Sequence, residues 1–400
     1  MLWAGQATSA IGDQMFLVAL AWVAVRVLGD RAGYLTLLLP AVTLLVALLA
    51  GGAADRHSPR GLMILADLCR AGVLGVLVVL WTVRGQPPAW ALVAAIAMLA
   101  TGQALFRPAL QALLPPLVDD TVALPAANAL METTERIARL VGPASIGLLA
   151  GVVPLVHFVT LDVASFVLSA AAITATMVLR PLSHRPGAGD GVVAGVARGF
   201  RAMRTHPVLN FILYSMAPLN AVWWVSMFLA LPLLIGPQAT NGLGKLGLVW
   251  ACYGAANLAT NLCMGGALPA RPGRLVFGAD VILGCGIMVI GASALLLPPT
   301  LAVAGYCVGA ALGAIGGPLS DVTVAVLRQT RLAQGDQAAA MRAVLVAWNA
   351  GTLAGMAAAP ALFATFGVAA TVLGGGVVMA STGLLGFVRH YATPHDFRRA

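Results

Sequence analysis

Long apolar runs alternate along the chain with short clusters rich in glycine, proline and arginine. A helix that crosses a bilayer needs ~20 apolar residues. Division of the chain at the polar clusters predicts twelve such helices, which places both termini on the same side of a membrane. The predicted spans are 2–27, 33–54, 61–83, 88–114, 136–154, 156–179, 208–235, 242–267, 274–297, 299–325, 338–366 and 368–390. We therefore expect an all-α, polytopic membrane protein.

Composition excludes a soluble protein. Sixty per cent of the residues are hydrophobic and 9% are charged, whereas soluble domains carry roughly 25% charged residues. The net charge of +9 would suggest nucleic-acid binding in a soluble protein, but here the basic residues lie between apolar runs. With both termini in the cytoplasm, 18 basic residues fall on that side and four on the other. This asymmetry predicts a cell (inner or plasma) membrane protein with cytoplasmic termini and no nucleic-acid partner.

Motifs for enzymatic chemistry are missing from the sequence. The five cysteines all lie in apolar runs and form no C-x-x-C pair, and the histidines show no paired metal-ligand spacing. The one G-K pair is followed by leucine rather than Ser or Thr, so there is no P-loop. We expect no metal, no cofactor and no enzyme activity. A membrane enzyme or a receptor without transport is a remote alternative.

The longest polar stretch, 181–207, divides the chain into two sets of six spans. It predicts a six-helix bundle over 1–180, a cytoplasmic linker with an amphipathic surface helix, and a second six-helix bundle over 208–400. A weak repeat supports this division, because Ala66-Asp67 in the first half is followed 213 residues later by Ala279-Asp280. Many secondary transporters consist of such duplicated halves.

Five aspartates lie within apolar runs. A charge near the bilayer centre costs ~2.5–3.5 kcal/mol, so these side chains must face protein, water or a partner. Because burial favours the neutral form of a carboxyl, such groups can carry protons. We expect Asp67 to form a bracing ion pair with Arg70, one helical turn away. The residues predicted for proton coupling are Asp13, Asp162, Asp280 and Asp321.

A polar stripe on span one makes Asp13 the first choice among these. Gln6 and Ser9 precede it by seven and four residues and share its helix face. The alternative is a neutral aspartic acid that is hydrogen-bonded to a neighbouring helix. In the second half, aromatic and amide side chains recur at helical spacing, which suits a bulky amphipathic solute, including a cationic one. The predicted cavity there contains Asn220, Trp224, Tyr253, Asn257, Asn261, Trp348 and Asn349. Interhelical hydrogen bonding by the amides and interfacial anchoring by the tryptophans is the alternative.

Span five begins with two pairs of opposite charges and contains a helix breaker. Glu132–Arg136 and Glu135–Arg139 have the i,i+4 spacing of a helix-surface charge network on the cytoplasmic side. Gly142, Pro143 and Gly147 predict close packing and a bend in this helix.

The segment 51–60, GGAADRHSPR, resembles the loop signature G-x-x-x-D-R-x-G-R-[RK] of the major facilitator superfamily. Gly51, Asp55, Arg56 and Arg60 match it, whereas Ser58 and Pro59 depart from it. Other stretches resemble the branch of drug, macrolide and enterobactin exporters. They are Gly12-Asp13, Phe106–Ala109, Ala127–Leu130, Leu161–Phe166 and the antiporter-like Gly142, Pro143 and Gly147. One departure is that residues 88–106 carry none of the basic side chains expected in span four of many proton-coupled drug antiporters.

The resemblance implies a carrier with two pseudo-symmetric halves and alternating access. It also implies that Asp55 and Arg56 belong to a clamp that closes one side of the site, and Arg342 is a candidate partner; a solvated turn that only sets orientation is the alternative. We expect a monomer that uses protons to export an amphipathic, drug-like or siderophore-like small molecule across the lipid bilayer. The alternative is a carrier of a lipid such as a lysophospholipid, or of a specific metabolite, with uniport as one mode of transport.

Overall fold

A computed structural model of the protein describes residues 2–28, 32, 35, 37–54, 58–117, 124–149, 152–179, 192–236, 239, 241–264 and 272–390. All regular secondary structure in these ranges is helical, which confirms the all-α fold. Among the described residues, nine helices are long and apolar enough to cross a membrane. The chain is therefore a multi-pass membrane protein.

Thirteen helices follow one another along the described chain. The first six are α1 (Leu2–Leu28), α2 (Leu38–Ala54), α3 (Pro59–Arg84), α4 (Ala89–Leu117), α5 (Leu124–Leu149) and α6 (Leu155–Leu179). A shorter helix, α7 (Val192–Arg204), precedes α8 (Pro207–Trp224), which continues through a π-helical turn (Val225–Ala230) and a last α-helical turn (Leu231–Ile235). The chain ends with α9 (Gly242–Cys263), α10 (Pro272–Leu296), α11 (Pro299–Arg331), α12 (Gln334–Phe366) and α13 (Val368–Arg389).

Each of the twelve predicted spans corresponds to one of these helices. The largest difference concerns span five, predicted over 136–154, because α5 begins at Leu124 and ends at Leu149. Its first three turns contain alanine, leucine, methionine and glutamate, which favour a helix even where the sequence is too polar for a membrane. Hydropathy therefore placed the start of this helix too late.

Prolines and one serine define where several helices begin. Helices α3, α8, α10 and α11 each start with a proline, whose fixed backbone and missing N–H suit the first helical position. At α3, the Ser58 hydroxyl accepts a hydrogen bond from the Gly61 backbone N–H at 3.2 Å. The two residues that depart from the family signature, Ser58 and Pro59, thus form the N-cap and first turn of α3.

Contacts divide the chain into two compact units, the N-terminal bundle α1–α6 and the C-terminal bundle α7–α13. Within the N-terminal bundle, α6 packs against α1 and α3, and α4 packs against α2 and α3. Within the C-terminal bundle, α10 lies between α11 and α13. Glycines let these backbones approach closely: a Cβ on Gly284 would lie 2.8 Å from the Cα of Ala380, and one on Gly313 would still touch Gly286.

Helix α7, inside the predicted linker, packs against α12 of its own bundle. Gly199 lies directly against the backbone carbonyl of Ala339, and Met203 is fully buried. A Cβ on Gly195 would lie 2.7 Å from Nη2 of Arg342. Gly195 and Gly199 therefore lie on the side of α7 that contacts α12, and Phe200 packs against the same core.

Candidate functional site

A buried ion pair lies in the middle of the N-terminal bundle. Nη2 of Arg70 is 2.6 Å from Oδ1 of Asp67, and the two side chains are 3% and 0% exposed. Both residues belong to α3 and are one turn apart, so the backbone of a single helix fixes their separation. The structure thus contains the ion pair that the sequence spacing predicted.

Three helices surround the guanidinium group of Arg70. It lies 4.4 Å from the ring centre of Phe166 on α6 and 4.9 Å from that of Phe106 on α4. A Cβ on Gly102 of α4 would lie 2.7 Å from Nε of Arg70, so a larger residue at this position would displace the Arg70 side chain. Helix α4 carries no basic residue at this level, and Arg70 brings a positive charge to its surface from α3.

Asp162 of α6 is fully buried and faces α1. The Ser165 hydroxyl lies 2.8 Å from the Asp162 backbone oxygen and 3.2 Å from Oδ1 of the Asp162 carboxyl. Within the described part of the chain, Oδ2 of Asp162 has no hydrogen-bond partner. A Cβ on Gly12 of α1 would lie 2.5 Å from Oδ1, so the α1 backbone covers the carboxyl.

The polar stripe of α1 continues toward its N-terminus. The Gln6 side chain donates a hydrogen bond to the Ser169 hydroxyl of α6 at 3.0 Å, and Ser9 is buried. Asp13 is partly exposed, and its carboxyl lies within electrostatic reach of Arg70. Gln6 and Ser9 thus face the interior of the N-terminal bundle, with the Gln6 amide bonded to α6.

Asp13, Asp67 and Asp162, together with Arg70, form what we call the carboxyl cluster. Asp162 lies within electrostatic reach of the other three members. The cluster brings together one guanidinium and three carboxyls from α1, α3 and α6. The sequence indicated each residue separately but not that they converge, because their separations along the chain carry no contact information.

A second charged group lies between α4 and α5. Glu135 accepts a hydrogen bond from Arg107 at 2.6 Å and lies 3.6 Å from Arg139. The predicted Glu135–Arg139 pair is thus present, and the sequence missed Arg107 as its third member. The side chain of Glu132 lies outside the described part of the structure, and Arg136 makes further contacts.

The signature loop is described only at its two ends. Gly51 lies in the last turns of α2, and Arg60 is buried in the first turn of α3. Asp55 and Arg56 lie outside the described residues. Arg342, the proposed partner of the loop, lies against Gly195 of α7.

In the C-terminal bundle, amide and indole groups join α8 to α12. The Asn220 amide donates to the backbone carbonyl of Trp348 at 2.9 Å and to the Thr352 hydroxyl, and the Trp348 indole donates to the Asn220 side-chain oxygen. Gly351 and Gly355 of α12 lie directly against α8. Asn220 and Trp348 thus make the interhelical hydrogen bonds of the alternative interpretation.

Five rings around the π-helical turn form what we call the aromatic cluster. Their centroids lie 4.3 to 6.1 Å apart in stacked, tilted and edge-on pairs. The rings are those of Trp223, Trp224, Phe228, Trp250 and Tyr253. Such turns insert an extra residue into an α-helix and occur frequently at functional sites. The sequence placed Trp224 and Tyr253 in the cavity but gave no signal for the π-helical turn.

The remaining amides of the predicted cavity lie on α9 and α12. Asn257 is buried, and the Asn261 amide donates a hydrogen bond to the backbone carbonyl of Asn257 at 2.8 Å. Gly317 of α11 lies close to both Tyr253 and Asn257. The Asn349 amide donates to the Leu345 carbonyl of its own helix.

The second pair of predicted proton carriers lies between α10 and α11. The Ser320 hydroxyl is 3.2 Å from Oδ1 of Asp280, and Asp321 is the charged residue whose field reaches that carboxyl. Asp321 itself is exposed and makes further contacts. The neighbour of the Asp280 carboxyl is thus a neutral hydroxyl, in contrast to Asp67, which is paired with Arg70.

The predicted bend of α5 contains a close helix contact. A Cβ on Gly142 would lie 2.7 Å from Cβ of Gln14 and 3.2 Å from the Ile11 carbonyl oxygen. Pro143 follows inside the helix, and Gly147 lies one turn further on. Gly142 therefore lets α5 approach α1 at Ile11 and Gln14, in the turn that contains Asp13.

Comparison with known proteins identifies a family. The sequence model described as "Major Facilitator Superfamily" matches residues 2–335. The protein named "Multidrug efflux pump Tap" of Mycobacterium tuberculosis and Mycobacterium bovis is 28% identical over 394 residues, covering 94% of this chain and 90% of its own. An uncharacterized transporter of the same superfamily from Sinorhizobium fredii is 26% identical over 340 residues, covering 81% of this chain and 78% of its own.

Solved structures share the fold at low sequence identity. The POT family transporter PepTSo has a TM-score of 0.77 and 11% identity, covering 98% of this chain and 97% of its own. A bacterial homologue of the iron transporter ferroportin, in its inward-facing state, has a TM-score of 0.68 and 15% identity, covering 96% and 97%. At these identities, the similarity concerns the fold alone.

Proposed function

The chain belongs to the major facilitator superfamily, and from this premise we propose that it exports an amphipathic small molecule in exchange for protons by alternating access. Its similarity to proteins named multidrug efflux pumps supports a drug-like substrate. The excess of basic residues in alternate loops supports an inner-membrane location with both termini in the cytoplasm.

The carboxyl cluster is the observation that best supports the proposed proton exchange. Three carboxyls face one guanidinium, and the Asp67–Arg70 contact already uses that positive charge. If all four groups were ionised, the bundle interior would carry two uncompensated negative charges, which is costly within a membrane. Binding of protons removes these charges, so occupancy of the cluster by protons can change during a transport cycle.

The aromatic cluster and the amides around it suit the other half of the exchange. Ring faces attract cations and bind apolar surface, and the neighbouring Asn257 can hydrogen-bond a polar group of the solute. In the cycle that we propose, the substrate binds from the cytoplasm while the carboxyl cluster is ionised. Protons that enter from outside neutralise the cluster and favour release of the substrate. One charge that crosses 100 mV supplies ~2.3 kcal/mol.

Everted membrane vesicles that contain the protein test this proposal. The vesicle interior is acidified, and tetraphenylphosphonium, erythromycin or a catecholate siderophore is then added. We expect at least one compound to collapse the pH gradient in wild type, and to do so less in Asp13→Asn. A gradient that none of the compounds affects would contradict drug–proton exchange and favour a lipid or metabolite carrier.

A further inference from the structure

We propose that Asp162 binds a proton in this conformation and that loss of this proton separates α1 from α6 at Gly12. The proposal deepens the proposed proton exchange and rests on it for its place in transport. Its structural part concerns only two helices of the N-terminal bundle. It is carried by hydrogen-bond geometry, by the burial of one carboxyl and by one close backbone contact.

The hydrogen bonds of Ser165 indicate the protonation state of Asp162. A serine hydroxyl has one proton to donate. The shorter contact, 2.8 Å, is to the Asp162 backbone oxygen, which can only accept. The contact of 3.2 Å between the Ser165 oxygen and Oδ1 of Asp162 therefore has only a shared serine proton, unless the carboxyl itself supplies one. A neutral Asp162 satisfies both contacts, whereas an ionised one leaves two acceptors to share a single donor.

The charged groups around Asp162 also favour its neutral form. Its carboxyl interacts electrostatically with Asp13 of α1 and with Asp67 and Arg70 of α3. Arg70 forms an ion pair with Asp67 at 2.6 Å. Its positive charge is therefore largely compensated and stabilises the ionised forms of Asp13 and Asp162 only weakly. On α6 itself, the nearest titratable side chain is the exposed His157, more than a turn away. Arg107 and Glu135 act on Asp13, and their charges oppose one another.

The backbone of α1 closes over the carboxyl where its charge would appear. Oδ2 of Asp162 is buried without a hydrogen-bond partner among the described residues, and Gly12 is packed so closely that a Cβ there would lie 2.5 Å from Oδ1. An ionised carboxylate needs water or donors on both oxygens. Movement of α1 away from α6 would uncover the carboxyl, so the neutral acid stabilises the contact and the ionised one opens it.

A second contact between the two helices lacks this sensitivity. A Cβ on Gly5 would lie 2.8 Å from Cβ of Ala172, and Gln6 donates its hydrogen bond to Ser169 nearby. None of these four residues itself titrates, and Asp67, the titratable group next to Ser169, is paired with Arg70. Separation should therefore be greater at Gly12 than at Gly5.

Double electron–electron resonance, which measures the distance between two spin labels, tests the proposal in a variant whose native cysteines have been replaced. Labels replace Val27 on α1 and Thr160 on α6, both of which are exposed. At low pH we expect one short distance, and raising the pH should add a population that is longer by about 2 Å, the scale of a helix shift. Asp162→Asn, which is neutral and isosteric, should keep the short distance at every pH.

Two further variants keep the test decisive. Gly12→Ala should show the longer distance even at low pH, and it serves if Asp162→Asn fails to fold. Asp280→Asn makes the same change in a serine-bonded aspartate of the other bundle and should leave the α1–α6 response intact. A distance that is independent of pH in wild type, or a response that survives in Asp162→Asn, would overturn the proposal. The vesicle assay tests antiport separately, so the two proposals can fail independently.

Discussion

The two bundles place polar groups inside the membrane in different ways. The N-terminal bundle holds a full ion pair, Asp67–Arg70, with further carboxyls beside it. In the C-terminal bundle, neutral amides, hydroxyls and aromatic rings predominate. The repeat shows the difference at one position: Asp280 corresponds to Asp67, but Leu283 stands where Arg70 would be, and Asp280 contacts the Ser320 hydroxyl.

The two halves of a duplicated protein can thus come to differ in the chemistry of their interiors. A carboxyl that shares one cation with others changes its charge when protons bind, whereas amides and rings offer the same surface at any pH. This contrast supports our proposal that the N-terminal bundle contains the proton site. The C-terminal bundle has the chemistry of a surface for a bulky, amphipathic solute. Four substitutions test this contrast and are given in order of decreasing expected effect.

Arg70→Gln should have the largest effect on stability. It leaves Asp67 buried without its cation, and removal of one partner of a buried pair costs about 3–5 kcal/mol. A proton on Asp67 relieves part of this cost, so the loss should increase with pH. Thermal unfolding in detergent at several pH values measures it. The double variant Asp67→Asn/Arg70→Gln should recover most of the stability, and a double variant as unstable as Arg70→Gln would contradict this.

In the C-terminal bundle, Gly351→Ala should be the more damaging of two matched substitutions. Its Cβ would overlap the Ala217 carbonyl of α8, and such overpacking costs about 1–3 kcal/mol. Gly374→Ala is the control, because a Cβ there meets nothing within 4 Å. The difference in melting temperature between the two variants measures the effect. Equal melting temperatures would rule out tight α8–α12 packing.

Asn220→Leu should cost less. It removes the hydrogen bonds to Trp348 and Thr352, and interhelical hydrogen bonds in membranes contribute about 0.6 kcal/mol on average. We expect a loss of about 1 kcal/mol in unfolding experiments. Asn349→Leu is its control, since that amide bonds only within its own helix. A larger loss for Asn349→Leu would show that the interhelical bonds are not the source of stability.

Asp336→Asn should have the smallest effect. The Arg198–Asp336 pair between α7 and α12 has a distance of 3.8 Å, and its side chains are 44% and 38% exposed. Exposed pairs contribute at most about 1 kcal/mol and are screened by salt. Unfolding in low and high salt should show a small difference that salt abolishes. A loss as large as that of Arg70→Gln would mean that α7 depends on this ion pair rather than on its glycine contacts.

The sequence predicted the fold well because bilayer thickness sets a minimum length for each apolar run. It also predicted the Asp67–Arg70 pair, which depends only on helix periodicity. It did not predict that Arg70 would lie against Gly102, or that Asn220 would bond Trp348, because both contacts depend on which helices are neighbours. The sequence did not predict the packing of Gly12 on Asp162 for the same reason, although both residues lie in stretches that resemble the family.

Proton release from the purified protein tests most directly whether the exchanged proton is held in the N-terminal bundle. A compound that collapsed the vesicle gradient is added to protein in weakly buffered detergent with a pH indicator. We predict release from wild type and Asp280→Asn, and loss of release in Asp162→Asn. Release that persists in Asp162→Asn and disappears in Asp280→Asn would contradict this and place the proton site in the C-terminal bundle.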